Sequence, residues 1–117
     1  MAVVALNKFR TIRVAITTTN TGIYTCPSGV ASIIILSQVT NISTGTSSFN
    51  VTASHSRSTE TQSDYLFANA VPIPPNDSVS LIPTGRLALE TNDVFKIKAS
   101  SNGVLNLVLS ILETAKQ

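Results

Sequence analysis

Cys26 and His55 are the one thiol and the one imidazole in a chain of 117 residues. Nucleophilic catalysis by cysteine needs a base beside the thiol, so these two are the only Cys/His pair the sequence can offer. Cys26 lies between Thr25 and Pro27 at an expected strand end, where a small buried thiol is the simpler reading. Acid–base chemistry would need facing carboxylates. Glu60 with Asp64, and Glu90 with Asp93, are the candidate pairs, and both flank polar loops or turns. A glycosidase-like cleft would also want aromatic platforms, and the chain has no Trp. The four acids are therefore read as turn-forming, solvated groups. No glycine-rich phosphate loop, nucleophile elbow or Cys/His metal spacing is present. No catalytic, cofactor-binding or metal-binding residue is assigned, and the chain is expected not to be an enzyme.

Composition points to packing against neighbours. Charged residues make up 12% and hydrophobic residues 43% of the chain, and roughly a quarter of it is Ser or Thr. A hydroxyl-rich surface is cheaper to desolvate than a charged one. The net charge is +2, with basic residues scattered along the chain, among them Lys8, Arg10, Arg13, Arg57, Arg86, Lys96 and Lys98. Nucleic-acid binders concentrate cations and interleave them with stacking aromatics, so no nucleic-acid partner is expected. Met1 to Leu6 has no basic segment before it and too short an apolar core for a secretory signal. The longest apolar run, Val30 to Leu36, is too short to span a membrane. A soluble chain without a membrane partner, made in a cytoplasm, is expected.

The elements that would position these residues read as strands. Ile12, Val14 and Ile16 alternate with Thr11, Arg13 and Ala15, which predicts a half-buried strand over Phe9 to Ile16. Asn20-Thr21-Gly22 and Pro27-Ser28-Gly29 bracket Ile23 to Cys26. The run Ile33-Ile34-Ile35-Leu36 suggests a central strand covered on both faces. Phe49, Val51 and Ala53 alternate with Asn50, Thr52 and Ser54. His55 to Asp64 has no apolar residue and is expected as an exposed loop. Pro72, Pro74 and Pro75 mark a sheet edge or a strand end. The last third, punctuated by Asn76-Asp77, Thr84-Gly85, Thr91-Asn92-Asp93 and Asn102-Gly103, reads as a meander, with a type I′ hairpin at Asn102-Gly103. In it, Lys96 and Lys98 form the solvent face opposite Phe95 and Ile97. The fold class is all-β: a single-domain antiparallel β-sandwich of about 8–10 strands, jelly-roll or Ig-like. Residues 1–8 are expected as an N-terminal arm, 9–113 as the sandwich and 114–117 as a C-terminal tail.

Three segments carry a resemblance. Thr21 to Gly29 before a long aliphatic strand, Ala70-Val71-Pro72-Ile73-Pro74, and Leu87 to Ala99 together resemble small β-sandwich accessory virion proteins of tailed bacteriophages. The likeness spans roughly residues 12–113. That family often has Gly where this chain has Asn76 and Asn92, a mild departure, since Asn also tolerates turn geometry. The resemblance implies a virion protein that stabilises or decorates the capsid through multivalent non-covalent contacts. Its implied partners are the major capsid protein or other virion proteins, and further copies of itself, a trimer being attractive. A neck, tail, baseplate or fibre component, or a carbohydrate-binding adhesin module, would use the same sandwich. An adhesin would be marked by exposed Tyr24 or Tyr65, although strand tyrosines more commonly pack. The expected interface is the apolar arm Met1, Ala2, Val3, Val4, Ala5 and Leu6, able to pair with a neighbour's sheet edge, together with His55 and Arg57 on the polar stretch.

Overall fold

The computed structural model describes residues 7–57, 59, 64–82 and 85–115. The arm residues Met1 to Leu6 lie outside that set, as do Glu60 and the Thr84 turn position. Nine strands form among the described residues: β1 (Asn7–Ala15), β2 (Thr21–Thr25), β3 (Val30–Asn41), β4 (Phe49–Ser56), β5 (Asp64–Ile73), β6 (Ser78–Ser80), β7 (Leu87–Leu89), β8 (Val94–Ala99) and β9 (Leu105–Ala115). Asn7, Lys8, Thr114 and Ala115 are thus strand residues.

The strands make two antiparallel sheets. One runs β1-β9-β3-β6, with β7 also paired to β3, and the other runs β2-β8-β4-β5. Because β6 and β7 pair with separate stretches of β3, they act as two pieces of one edge strand. Counted that way the pairs nest: first with last, second with next to last, third with the interrupted edge, fourth with fifth. A long hairpin rolled up in this fashion is the jelly-roll sandwich. β9 shows how the core is made. Leu105, Leu107, Leu109 and Ile111 are all fully buried, since alternate residues of a strand face the same side. Against them pack Val51 and Ala53 of β4 and Phe95 and Ile97 of β8, with the Phe67 ring 5.7 Å from that of Phe95.

Several expectations hold. Ile12, Val14 and Ile16 line the core side of β1 and its end. Val51 and Ala53 face inward, Phe95 and Ile97 lie opposite Lys96 and Lys98, and β5 with Pro72 is a sheet edge. Asn76 and Asn92 adopt φ of 59° and 71°, the left-handed geometry that Asn accommodates better than most residues.

Four expectations are corrected. The last third is not a meander, because β7, β8 and β9 alternate between the sheets. Asn102-Gly103 therefore carries the chain from one sheet to the other rather than closing a hairpin. Gly103 takes the positive φ of 72°, while Asn102 Oδ1 accepts the Thr18 N–H at 2.8 Å. A turn dipeptide reports local backbone geometry and not which sheet the next strand joins. Among the described residues β3 is covered on one face only. Its register with β9 shifts between Ile34 and Leu36, so Ile34 and Ser37 are both buried while Ile35 and Leu36 are each 41% exposed. The expected loop 55–64 is shorter than its polarity suggested: His55 and Ser56 end β4 and Asp64 begins β5. Polar residues persist there in strand because a partner waits for them inside. Asp93, read as a solvated turn acid, is 2% exposed.

Candidate functional site

At one end of the sandwich, β4 and the β7–β8 turn converge on Asp93. Its backbone holds the turn, with Asp93 N–H donating to the Glu90 carbonyl and Cys26 N–H donating to the Asp93 carbonyl, both at 2.9 Å. Its carboxylate accepts Arg57 Nε–H at 2.9 Å on Oδ1 and Arg57 Nη2–H at 2.7 Å on Oδ2. His55 Nε2–H donates to Oδ2 at 2.8 Å, and Glu90 N–H donates there at 2.9 Å. Charge-assisted, bidentate arginine contacts of this kind are among the strong hydrogen bonds. The Arg57 hydrogen bonds hold the Asp93 carboxyl well below the usual carboxylate range; burial opposes that shift, and the Glu90 N–H and His55 reinforce it. Arg57 also reaches Glu90 at 3.0 Å. His55 and Arg57, expected on an exposed loop, are thus drawn together on one buried acid, with Arg57 reaching Glu90 as well. Sequence reading missed Asp93 as their anchor. The signal lay in an acid beside Asn92, but nothing local says that His55 at the end of β4 and Arg57 just after it supply the donors.

A second polar cluster bridges the sheets. Tyr24 O–H donates to Glu113 Oε2 at 2.5 Å and lies 2.7 Å from Ser32 Oγ. Arg10 approaches Glu113 at 3.4 Å and sits over the Tyr24 ring, 5.8 Å from its centroid. Burial, with the Glu113 hydrogen bond second, pushes the Tyr24 hydroxyl up to about 12, with Ser32 pulling the other way. Cys26 is 0% exposed. Its S–H donates to the Val30 carbonyl at 3.2 Å, and Ser32 Oγ lies 3.3 Å from the sulfur. The thiol and His55 each have other partners, so the structure forms no Cys/His dyad. Asp64, the remaining described acid of the expected pairs, faces Lys96 at 3.4 Å. Tyr24 is core, whereas Tyr65 is 54% exposed, contrary to the packing expected of it.

The outer face of the β1-β9-β3 sheet is different in kind. Cross-strand register lines up Phe9, Leu112, Ile33 and Ala88 in one rung over four strands. The next rung joins Thr11, Ser110 and Leu36, and a third joins Arg13, Val108, Gln38 and Ser80. Phe9 is 72% exposed and Val108 36%, and the bulge adds Ile35 beside Leu36. Of the residues in these three rungs only Arg13 is charged. Contiguous exposed apolar surface with so little charge marks an interaction site more often than a solvated one. The signal for it was present in the sequence as the aliphatic run of β3, but it was read as double burial.

No family model matches the chain, and no curated protein matches its sequence. In fold it is similar to a chain of the acid-stable capsid of Helicobacter pylori bacteriophage KHP30, at 11% identity and a TM-score of 0.56, over 98% of this chain and 92% of that one. It is also similar to a chain of the Bacillus endospore appendages, described as a family of disulfide-linked pili, at 13% identity and a TM-score of 0.55, over 100% of this chain and 98% of that one. At these identities the shared property is the fold.

Proposed function

We propose that this chain is a non-catalytic structural protein of a bacteriophage virion, which binds the capsid surface in many copies and stabilises or decorates it. The observation that carries this reading is the outer face of the β1-β9-β3 sheet, where Phe9, Ile33, Ile35, Leu36, Val108 and Leu112 stand among hydroxyls with little charge. Such a face loses little by being covered and gains by apolar burial. The jelly roll shared over nearly its whole length with a phage capsid chain supports the same reading. So does the commitment of His55, Arg57 and Asp93 to one another, which leaves those groups in a structural role. Weak contacts repeated over a lattice add to avidity without any one being strong. The mode of contact is non-covalent: the one cysteine among the 117 residues is wholly buried, so the disulfide linkage named for the spore appendages has no exposed thiol here. Met1 to Leu6 supply a further apolar contact, pairing with the edge of a neighbouring sheet.

Mass spectrometry of purified particles, separated into heads and tails, tests the proposal. Hundreds of copies per head would support capsid decoration. A few copies with the tails would reassign the chain to a neck, baseplate or fibre part, and absence from particles would overturn the structural role.

A further inference from the structure

The β2-β8-β4-β5 sheet carries a groove of about 280 Å³ lined by Thr18, Asn50, Thr52, Ala70, Lys98, Ala99 and Ser100. Its origin is a defect in strand pairing. The β4–β5 register shifts between Val51 and Ala53, and on the β5 side Ala70 is held at φ 50°. A non-glycine residue in that conformation is strained, and such strain is kept where the surroundings impose it. Here Thr52 Oγ1 accepts the Ala70 N–H at 3.0 Å, taking the place of a ladder bond. The displaced strand leaves Thr52 and its register partner Lys98 looking out into open space.

The polar groups in the groove are unequal in how they are used. Lys96, two residues before Lys98 on the same strand, is neutralised by Asp64. Lys98 has no ion pair among the described residues, and it is the single charge in the lining. The Asn50 side-chain amide likewise has no partner among the described residues; its backbone N–H donates to Ser100 Oγ at 2.9 Å, and its carbonyl accepts the Ser100 N–H at 2.9 Å. That pairing fixes the Asn50 and Ser100 backbones side by side. The groove therefore presents one cation and a set of groups that both donate and accept, namely the Asn50 amide and the Thr18 and Ser100 hydroxyls. A phosphate would want several donors and more positive charge. A sugar ring with one carboxylate matches this set: its hydroxyls alternate donor and acceptor roles, and its single negative charge meets Lys98.

We propose that this groove binds one carboxylate-bearing sugar residue of the uronic-acid type, as found in acidic surface polysaccharides. The carboxylate pairs with Lys98, and the ring hydroxyls bond Asn50, Thr18 and Ser100. The volume is near the lower end for ligand pockets, about 300 Å³, which suits a single ring. No aromatic side chain lines the groove, so a single site binds weakly, with Kd of about 1 mM or above, and many copies on one particle would supply the avidity. This inference does not depend on the apolar face of the other sheet, and its test uses the isolated protein.

The experiment is an amide chemical-shift titration of the full chain with glucuronate to about 50 mM, run beside glucose, inorganic phosphate and acetate. Saturable shifts at Asn50, Thr52, Ala70, Lys98 and Ser100 with glucuronate, at least tenfold weaker with the other three, are expected. Lys98→Met should weaken glucuronate binding at least tenfold, and Asn50→Ala severalfold, with both variants keeping native shift dispersion. Three results would overturn the proposal: no shifts with glucuronate, equal shifts with phosphate or acetate, or unchanged affinity in Lys98→Met.

Discussion

The two outer faces of this sandwich spend their side chains in opposite ways. On the β2-β8-β4-β5 sheet Lys96 is paired with Asp64, and the exposed large hydrophobics are Tyr65 and Leu66, both at the start of edge strand β5. On the β1-β9-β3 face one apolar rung lies across four strands, and Leu36 and Val108 stand exposed among polar residues in the next two. Both sheets turn the same kind of residue inward, so core formation does not explain the difference. A sheet packed on one side has no folding reason to be apolar on the other. Apolar surface that the fold does not use is surface available to a partner, and the proposed assembly role rests on this asymmetry.

The contrast can be broken most forcefully through the charge cluster under the polar sheet. Asp93→Ala removes the acceptor for Arg57, His55 and the Glu90 N–H and leaves Arg57 without its buried counter-ion. Urea unfolding should show a loss of about 3 kcal/mol. The same group predicts acid sensitivity. Its folded-state pKa is depressed, so its stabilisation is complete above the unfolded value of about 4 and declines as pH falls below it. A pH series of urea midpoints should show that decline in the wild-type chain and a flatter profile in Asp93→Ala.

Tyr24→Phe is a smaller perturbation, expected to cost about 1.5 kcal/mol because Glu113 loses its O–H donor inside the protein. The sign of the linked pH effect is reversed. A tyrosine raised to about 12 stabilises fully below its unfolded pKa of about 10, and that contribution is lost as pH rises from there through about 12. Thermal melts of wild type and Tyr24→Phe should converge over this alkaline window. Smallest of all, Lys96→Ala should change stability by about 0.5 kcal/mol or less, since a partly exposed pair with Asp64 is screened by solvent. A double-mutant cycle with Asp64→Ala would measure it.

Much of the fold is legible in the sequence. Alternation alone gave the inward sets of β1, β4 and β8, because period two is a local property of a strand. The Pro-rich end of β5 and the tolerance of Asn76 and Asn92 for left-handed geometry were equally local. What sequence could not carry was pairing at a distance. Asn102-Gly103 has the residues of a hairpin and performs a crossing between sheets. Ile33 to Leu36 has the residues of a doubly buried strand, yet with a one-residue bulge at Ile35 and no covering layer among the described residues, two of the four are exposed. Asp93 looked like a solvated turn acid because its partners lie on another strand. His55 and Arg57, expected as interface residues on the polar stretch, both bond Asp93, and the exposed apolar surface belongs to Phe9, Leu36 and their neighbours.

The most direct test of the central claim is particle incorporation of a Phe9→Glu/Leu36→Glu double variant, measured as copies per head by quantitative mass spectrometry beside a Lys96→Glu control on the other face. Both positions are exposed, so stability should stay within about 0.5 kcal/mol of wild type. The double variant should fold and fall at least tenfold in copy number, while the control stays near the wild-type level. Normal incorporation of a folded double variant would contradict the claim and would move the assembly surface elsewhere on the molecule.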